Sequence, residues 1–95
     1  MTVGPSARIE DAEDLAAQMK TLLQGDAALV EVDVGGVESV DVSFFQLLLA
    51  FQRSLGERTR QLTVLPIAED HVVAQAGRLL GLPLEFYVKF SGANP

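Results

Sequence analysis

The segment Ala28-Leu29-Val30-Glu31-Val32-Asp33-Val34 constrains this chain more than any other. Val30, Val32 and Val34 alternate with two acids, so an extended backbone would carry one apolar and one charged face, and β-branched residues favour that conformation. Gly35 and Gly36 end the run. A short loop later, Phe44 opens an apolar stretch to Leu55 in which Phe45, Leu48, Leu49, Gln52 and Leu55 recur at helical spacing, with Gly56 as the expected stop. A helix apolar on more than one face must be buried on more than one side. Strand and helix together therefore predict an α/β unit in which this helix packs on a sheet and touches a neighbouring helix.

The same alternation runs through the rest of the chain. Leu15, Met19, Leu22 and Leu23 form one stripe of a helix over Asp11 to Gln24, with Asp11, Glu13 and Asp14 at its positive end and Lys20 and Gly25 at the other. Gln61 to Leu65 reads as a strand and Pro66 as the start of a loop. Asp70 to Leu80 carries Val72, Val73, Ala76, Leu79 and Leu80 at helical spacing and is stopped by Gly81 and Pro83. Leu84 to Phe90 alternates again, Leu84, Phe86, Val88 and Phe90 against Glu85, Tyr87 and Lys89. At the start, Gly4 and Pro5 limit Met1 to Ile9 to a short edge strand or an irregular lead-in. The expected fold class is α/β: a small mixed sheet with helices packed on it, in the order β-α-β-α-β-α-β, with right-handed crossovers. At 95 residues, the expectation is a single domain over 1–95.

Composition narrows the function. Thirteen acidic against seven basic residues give a formal charge of −6, which opposes approach to nucleic acid or anionic lipid. The chain has no cysteine, so a disulfide framework and a thiolate metal site are both excluded. The start, MTVGPSARIEDAED, has no basic, apolar leader, and the run Phe44 to Phe51, broken by Gln46, is far shorter than a bilayer span. These features predict a cytoplasmic protein without direct membrane insertion. Val34-Gly35-Gly36-Val37 lacks the lysine and the spacing of a phosphate loop, so no nucleotide or other cofactor is expected.

The stretch VEVDVGGVESVDVSFFQLLL, Val30 to Leu49, resembles the STAS family. Its members include bacterial anti-sigma factor antagonists, cytoplasmic domains of sulfate transporters and a small subunit of phospholipid-trafficking complexes. Asp33 fits the family's strand aspartate, Val40 and Asp41 its loop pair, and Ser43 the position of the antagonists' phosphorylatable serine; Leu80-Gly81-Leu82 fits the phrase closing a later helix. Val42 stands in place of the motif's first hydroxyl residue and Phe44 in place of its glycine. The resemblance covers roughly Ile9 to Phe90 and implies a STAS fold with a shortened first edge. It further implies a regulatory interaction module with a phosphorylation site at Ser43 and a partner-binding face including Asp33, Gly36, Asp41, Val42, Phe44 and Gln46. The implied partner is an anti-sigma factor, a serine-kinase-like protein or another signalling ATPase, in bacterial signal transduction and transcription regulation. Two further implied roles are a non-phosphorylated scaffold of a chemotaxis-type system and a subunit of a phospholipid-trafficking ABC complex.

The residues also carry plainer readings. Ser43-x-x-Gln46 ahead of an apolar run has the form of a capping box, with the Ser43 hydroxyl accepting from a first-turn amide. Asp33 is expected to bond loop amides and Asp41 to form an Asx-type turn. The two carboxylates lack a third polar group, so no catalytic residue and no metal ligand is predicted. His71, the sole histidine, is expected to be solvent-exposed. Arg53, Arg58 and Arg60 suit the negative end of the second helix, and Phe86, Tyr87 and Phe90 read as sheet residues.

Overall fold

The computed structural model describes residues 1–81 and the backbone of Val88–Phe90. Strand β1 (Ser6–Ala7) leads into a 3-10 turn, η1 (Ile9–Asp11), and helix α1 (Ala12–Leu23). Strands β2 (Leu29–Val32) and β3 (Ser39–Val40) precede helix α2 (Val42–Glu57). Strand β4 (Gln61–Ile67), helix α3 (Val72–Leu79) and strand β5 (Val88–Phe90) complete the order.

Every described strand pairing is parallel, where a mixed sheet was expected. β4 lies between β2 and β5, with Val30 opposite Leu62, Val32 opposite Val64, and Val64 opposite Val88. β1 pairs with β3, Ser6 opposite Ser39 and Ala7 opposite Val40. Parallel neighbours cannot be joined by tight turns, so helices carry the crossovers. The start of the chain is not an edge: Thr2 bridges Asp33 beyond the end of β2, while Ser6–Ala7 pairs with β3. The Val3 amide donates to the Asp33 carbonyl (2.9 Å) and the Asp33 amide to the Met1 carbonyl (2.8 Å). Residues 1–7 thus join two ladders, and Val3 and Ala7 are buried between them. Gly4 and Pro5 form the step from one ladder to the other.

The core joins the strands to all three helices. Val32, Val34, Val64 and Ile67 meet Leu15 of α1, Phe44, Phe45 and Leu48 of α2, and Val73 and Ala74 of α3. A second cluster, Met19, Val30, Phe51 and Leu55, fills the space under the α1–α2 contact. Leu29 and Glu31, the alternate positions of β2, are exposed, as the period of two requires.

Two boundaries differ from the sequence expectations for physical reasons. β4 continues through Pro66, which is exposed and lies where the register to β5 shifts between Val64 and Ile67, a place where a missing N–H is tolerated. The strand expected over Leu84 to Phe90 is described only for Val88–Phe90, and the remainder lies outside the described residues. Helix α2 runs past Gly56. Its end is a Schellman motif, with the Arg60 amide donating to the Leu55 carbonyl (2.9 Å) and the Thr59 amide to the Gly56 carbonyl (3.0 Å). Thr59 takes the left-handed conformation, φ 57°, at the position where glycine is usual. Helix α3 does stop at Gly81, φ 72°.

The Arg60 side chain does not serve the end of α2. Only 9% exposed, it reaches the C-terminus of α1, donating from Nη2 to the Leu22 carbonyl (3.0 Å) and from Nη1 to the Leu23 carbonyl (3.1 Å). Nε donates to the Ala27 carbonyl (2.6 Å). A planar cation is well suited to carbonyls that a helix end leaves without partners. Arg58 fits the expectation better, donating to the Ser54 carbonyl (3.1 Å) within α2.

Candidate functional site

Helix α2 begins at Val42, and its cap is Asp41 rather than Ser43. Asp41 is extended (φ −136°, ψ −175°), and its Oδ1 accepts from the Ser43 amide at 3.1 Å. The Ser43 hydroxyl also donates to Asp41 Oδ1, so it is a donor to the cap rather than the cap itself. The expected Ser43–Gln46 box does not form. A carboxylate outcompetes a hydroxyl for this place because it is an acceptor with charge at the positive end of the helix.

The other oxygen of Asp41 reaches across the fold. Oδ2 accepts from the Ile9 amide at 2.9 Å, which ties η1 to the start of α2. A second carboxylate, Asp11, accepts from the Ser6 hydroxyl (2.5 Å) and the Arg8 amide (3.0 Å), and Arg8 Nη1 donates to the Ser39 hydroxyl (3.3 Å). Both acids titrate below the ordinary aspartate value of 3.8: Asp41 chiefly through the Ser43 hydroxyl and then the Ile9 and Ser43 amides, Asp11 chiefly through the Ser6 hydroxyl and then the Arg8 amide. Donors directed at the ionised form favour it.

The result is a shielded serine. Ser43 is 8% exposed, while Val42 beside it (49%) and Ile9 (63%) present apolar side chains to solvent. Among the residues expected on the partner-binding face, Gly36 and Gln46 are exposed and Asp33 and Asp41 are half-buried. Phe44 is a correction. At 1% exposure its ring packs edge-to-face on Phe45, with centroids 5.6 Å apart and planes at 69°, so it anchors α2 in the core and offers nothing to a partner surface.

The β2–β3 loop is tied down next to this site. Asp33 Oδ1 accepts from the Gly35 amide (2.9 Å) and the Val37 amide donates to the Val34 carbonyl (3.0 Å). His71, expected in solvent, is half-buried. It caps α3, with Nδ1 accepting from the Val73 amide (3.1 Å), which leaves Nε2 to donate to the Gly35 carbonyl at 3.1 Å. Among the described residues, no group of three or more His, Asp and Glu side chains comes together as a metal site would require. No described helix is long and apolar enough to cross a membrane.

Sequence reasoning missed Ser6, Arg8, Ile9, Asp11 and Ser39 as parts of this site. Ile9 carried the one available signal, a lone large apolar residue among polar neighbours.

Fold and site together define a small parallel α/β domain whose polar network converges on the first turn of its most buried helix. The chain belongs to the STAS family: residues 1–82 match the family described as "Mlab, STAS domain". No curated protein and no solved structure matches the chain. Membership makes it a regulatory or interaction module of the anti-sigma-antagonist type in the broad sense, since STAS domains generally act by binding other proteins.

Proposed function

We propose that the chain is a protein–protein interaction switch whose docking face comprises the loop Gly36 to Ser43 and the exposed positions of the first two turns of α2, Val42 and Gln46, and whose control point is Ser43. The carrying observation is the Asp41–Ser43 pair at the start of α2. A phosphoryl group on Ser43 would remove the proton that bonds Asp41 and add roughly −1.5 to −2 charges beside that carboxylate. Asp41 would then have to leave its place, taking with it the tie to Ile9. Val42, Gln46 and Gly36 form the contact surface in this reading, with Asp33 and Asp41 behind them, and a serine-kinase-like signalling ATPase is the partner. The domain spans the whole of 1–95 and works in the bacterial cytoplasm.

The test is binding of the wild type and Ser43→Asp to a histidine-kinase-like ATPase that co-purifies with the chain, together with mass spectrometry after incubation with ATP. The switch reading expects phosphate on Ser43 and weakened binding by Ser43→Asp. Equal binding and an unmodified serine refute it.

The burial of Ser43 favours a second reading, a constitutive subunit or scaffold in which the serine only secures the helix start. Recovery of an ABC-type ATPase that binds Ser43→Asp and wild type equally supports this reading.

A further inference from the structure

The segment Arg8–Asp11 lies over the start of α2, yet among the described residues nothing apolar holds it there. None of the three residues of η1 is buried, and Ile9, the natural anchor, is 63% exposed. Its attachments are polar: Ile9 to Asp41, Arg8 to Ser39, Ser6 to Asp11. The Ile9–Asp41 and Arg8–Ser39 bonds are exposed to water, which competes for both partners and keeps their net contribution small. Directly below, Phe44, Phe45 and Leu48 fix α2 in the core. Segments with few buried apolar contacts and exposed hydrogen bonds open locally, well before the domain unfolds.

We propose that Arg8–Asp11 is a strap that closes over Ser43 and lifts as a unit, through loss of the Ile9–Asp41 bond, to make the Ser43 hydroxyl reachable while the rest of the fold stays intact. In the closed state the hydroxyl is committed to Asp41 and shielded. In the open state Asp41 has lost its Oδ2 partner and is free to turn, which releases the serine. The strap rests on the Ser43 reading for its biological use, but the opening itself is measurable without any kinase.

The chain has no cysteine, so Ser43→Cys introduces a single thiol whose labelling by N-ethylmaleimide reports access to position 43. Gln46→Cys, on the exposed side of the same helix, supplies the unshielded reference rate. Ile9→Pro deletes the donor with little other disturbance. Ile9 is the first residue of η1 and Arg8 before it is extended (φ −113°, ψ −178°), both of which accommodate proline. Ile9→Pro should speed labelling at position 43 by about tenfold, the consequence of losing one hydrogen bond to a charged group, and leave the Gln46→Cys rate unchanged. Ile9→Ala, which keeps the N–H, should change the position-43 rate by less than about twofold, as expected for a surface side chain. An unchanged rate in Ile9→Pro overturns the strap. So does a rate that rises in Leu48→Ala in proportion to lost global stability, because labelling would then require unfolding. If Ser43→Cys fails to fold, amide exchange in the wild type decides. The Arg8 and Ile9 amides should exchange at least about tenfold faster than that of Leu48, and equal protection overturns the proposal. A strap that opens in a protein never phosphorylated at Ser43 would leave this inference standing and remove the switch reading alone.

Discussion

Helix α2 ends with two residues in each other's natural places, and exchanging their properties should stabilise the protein. Gly56 lies inside the last turn, where it weakens the helix relative to alanine by about 0.5–1 kcal/mol. A Cβ built there meets nothing within 4 Å, so Gly56→Ala should recover that amount without a clash. Thr59 occupies the left-handed position of the Schellman motif at φ 57°, a conformation that costs an L-residue roughly 1–2 kcal/mol. It is exposed, so its side chain contributes little packing. Thr59→Gly removes the strain but makes the unfolded chain more flexible by about 0.5–1 kcal/mol, leaving a net gain of about 0–1.5 kcal/mol. For a domain of this size each kcal/mol raises Tm by about 4–8 °C. Urea unfolding and calorimetry of both single variants and the double variant check the reasoning, and the Thr59 amide bonding to the Gly56 carbonyl means the two effects need not add. A destabilised Thr59→Gly would show that Thr59 is not left-handed in solution or that its side chain holds something the structure does not contain.

Other expectations follow from the same geometry. Arg60→Ala should lose about 2–4 kcal/mol in urea unfolding, because three carbonyls at or beyond the end of α1 lose a buried cationic partner; Arg60→Lys, which cannot reproduce the fork, should recover only part of it. Leu48→Ala, at a fully buried position, should cost about 2–5 kcal/mol and the half-buried Leu49→Ala distinctly less, measured the same way. Because the folded-state pKa values of Asp11 and Asp41 are lowered from 3.8, the stabilisation they give is present above that pH and is lost as pH falls below it through the folded values. Ser43→Ala, by removing the largest cause of the shift at Asp41, should move that residue's titration midpoint upward in an NMR pH series, and an unmoved midpoint would contradict the hydrogen bond.

How much of this was readable in advance depended on whether the relevant partner was near in sequence. β2 and α2 were plain, since Val30 to Val34 alternate with period two and Phe45, Leu48 and Leu55 recur with the helical period, and each pattern is a local record of what is buried. β3, only Ser39–Val40, is too short to have a period. Its strand character exists because Pro5 and Ala7 offer carbonyls to the amides of Glu38, Ser39 and Asp41. Within the site, the Asx-type turn at Asp41 and the bond from a loop amide to Asp33 were readable, the cap was assigned to Ser43 instead, and Ser6, Arg8, Ile9, Asp11 and Ser39 were missed. The Ser43–Gln46 box was the cap the local sequence suggested, and the place went to the Asp41 carboxylate, which could also take the Ile9 amide, 32 residues away in sequence. Arg60 is the same case at the other end of the fold. It was read with the helix preceding it, yet its carbonyl partners in α1 lie 37 and 38 positions back. Phe44 followed the opposite course, its surface role implied by a motif position and overruled by the packing of a large ring that had a core to enter.

The two functional readings differ in less than their names suggest. Each needs α2 to be held firmly, which Phe44, Phe45, Leu48 and Leu55 accomplish from below, and each places Ser43 and Asp41 at the boundary between that rigid base and a polar cover without apolar anchors. A charge introduced at this boundary acts on the cover first, because rearranging exposed hydrogen bonds takes far less free energy than disturbing the core. Ser43→Asp should therefore change the surface around Ile9 and Val42 while leaving the stability of α2 nearly intact. A switch and a scaffold are then distinguished by whether the cover lifts under native conditions often enough for an enzyme to act on the serine.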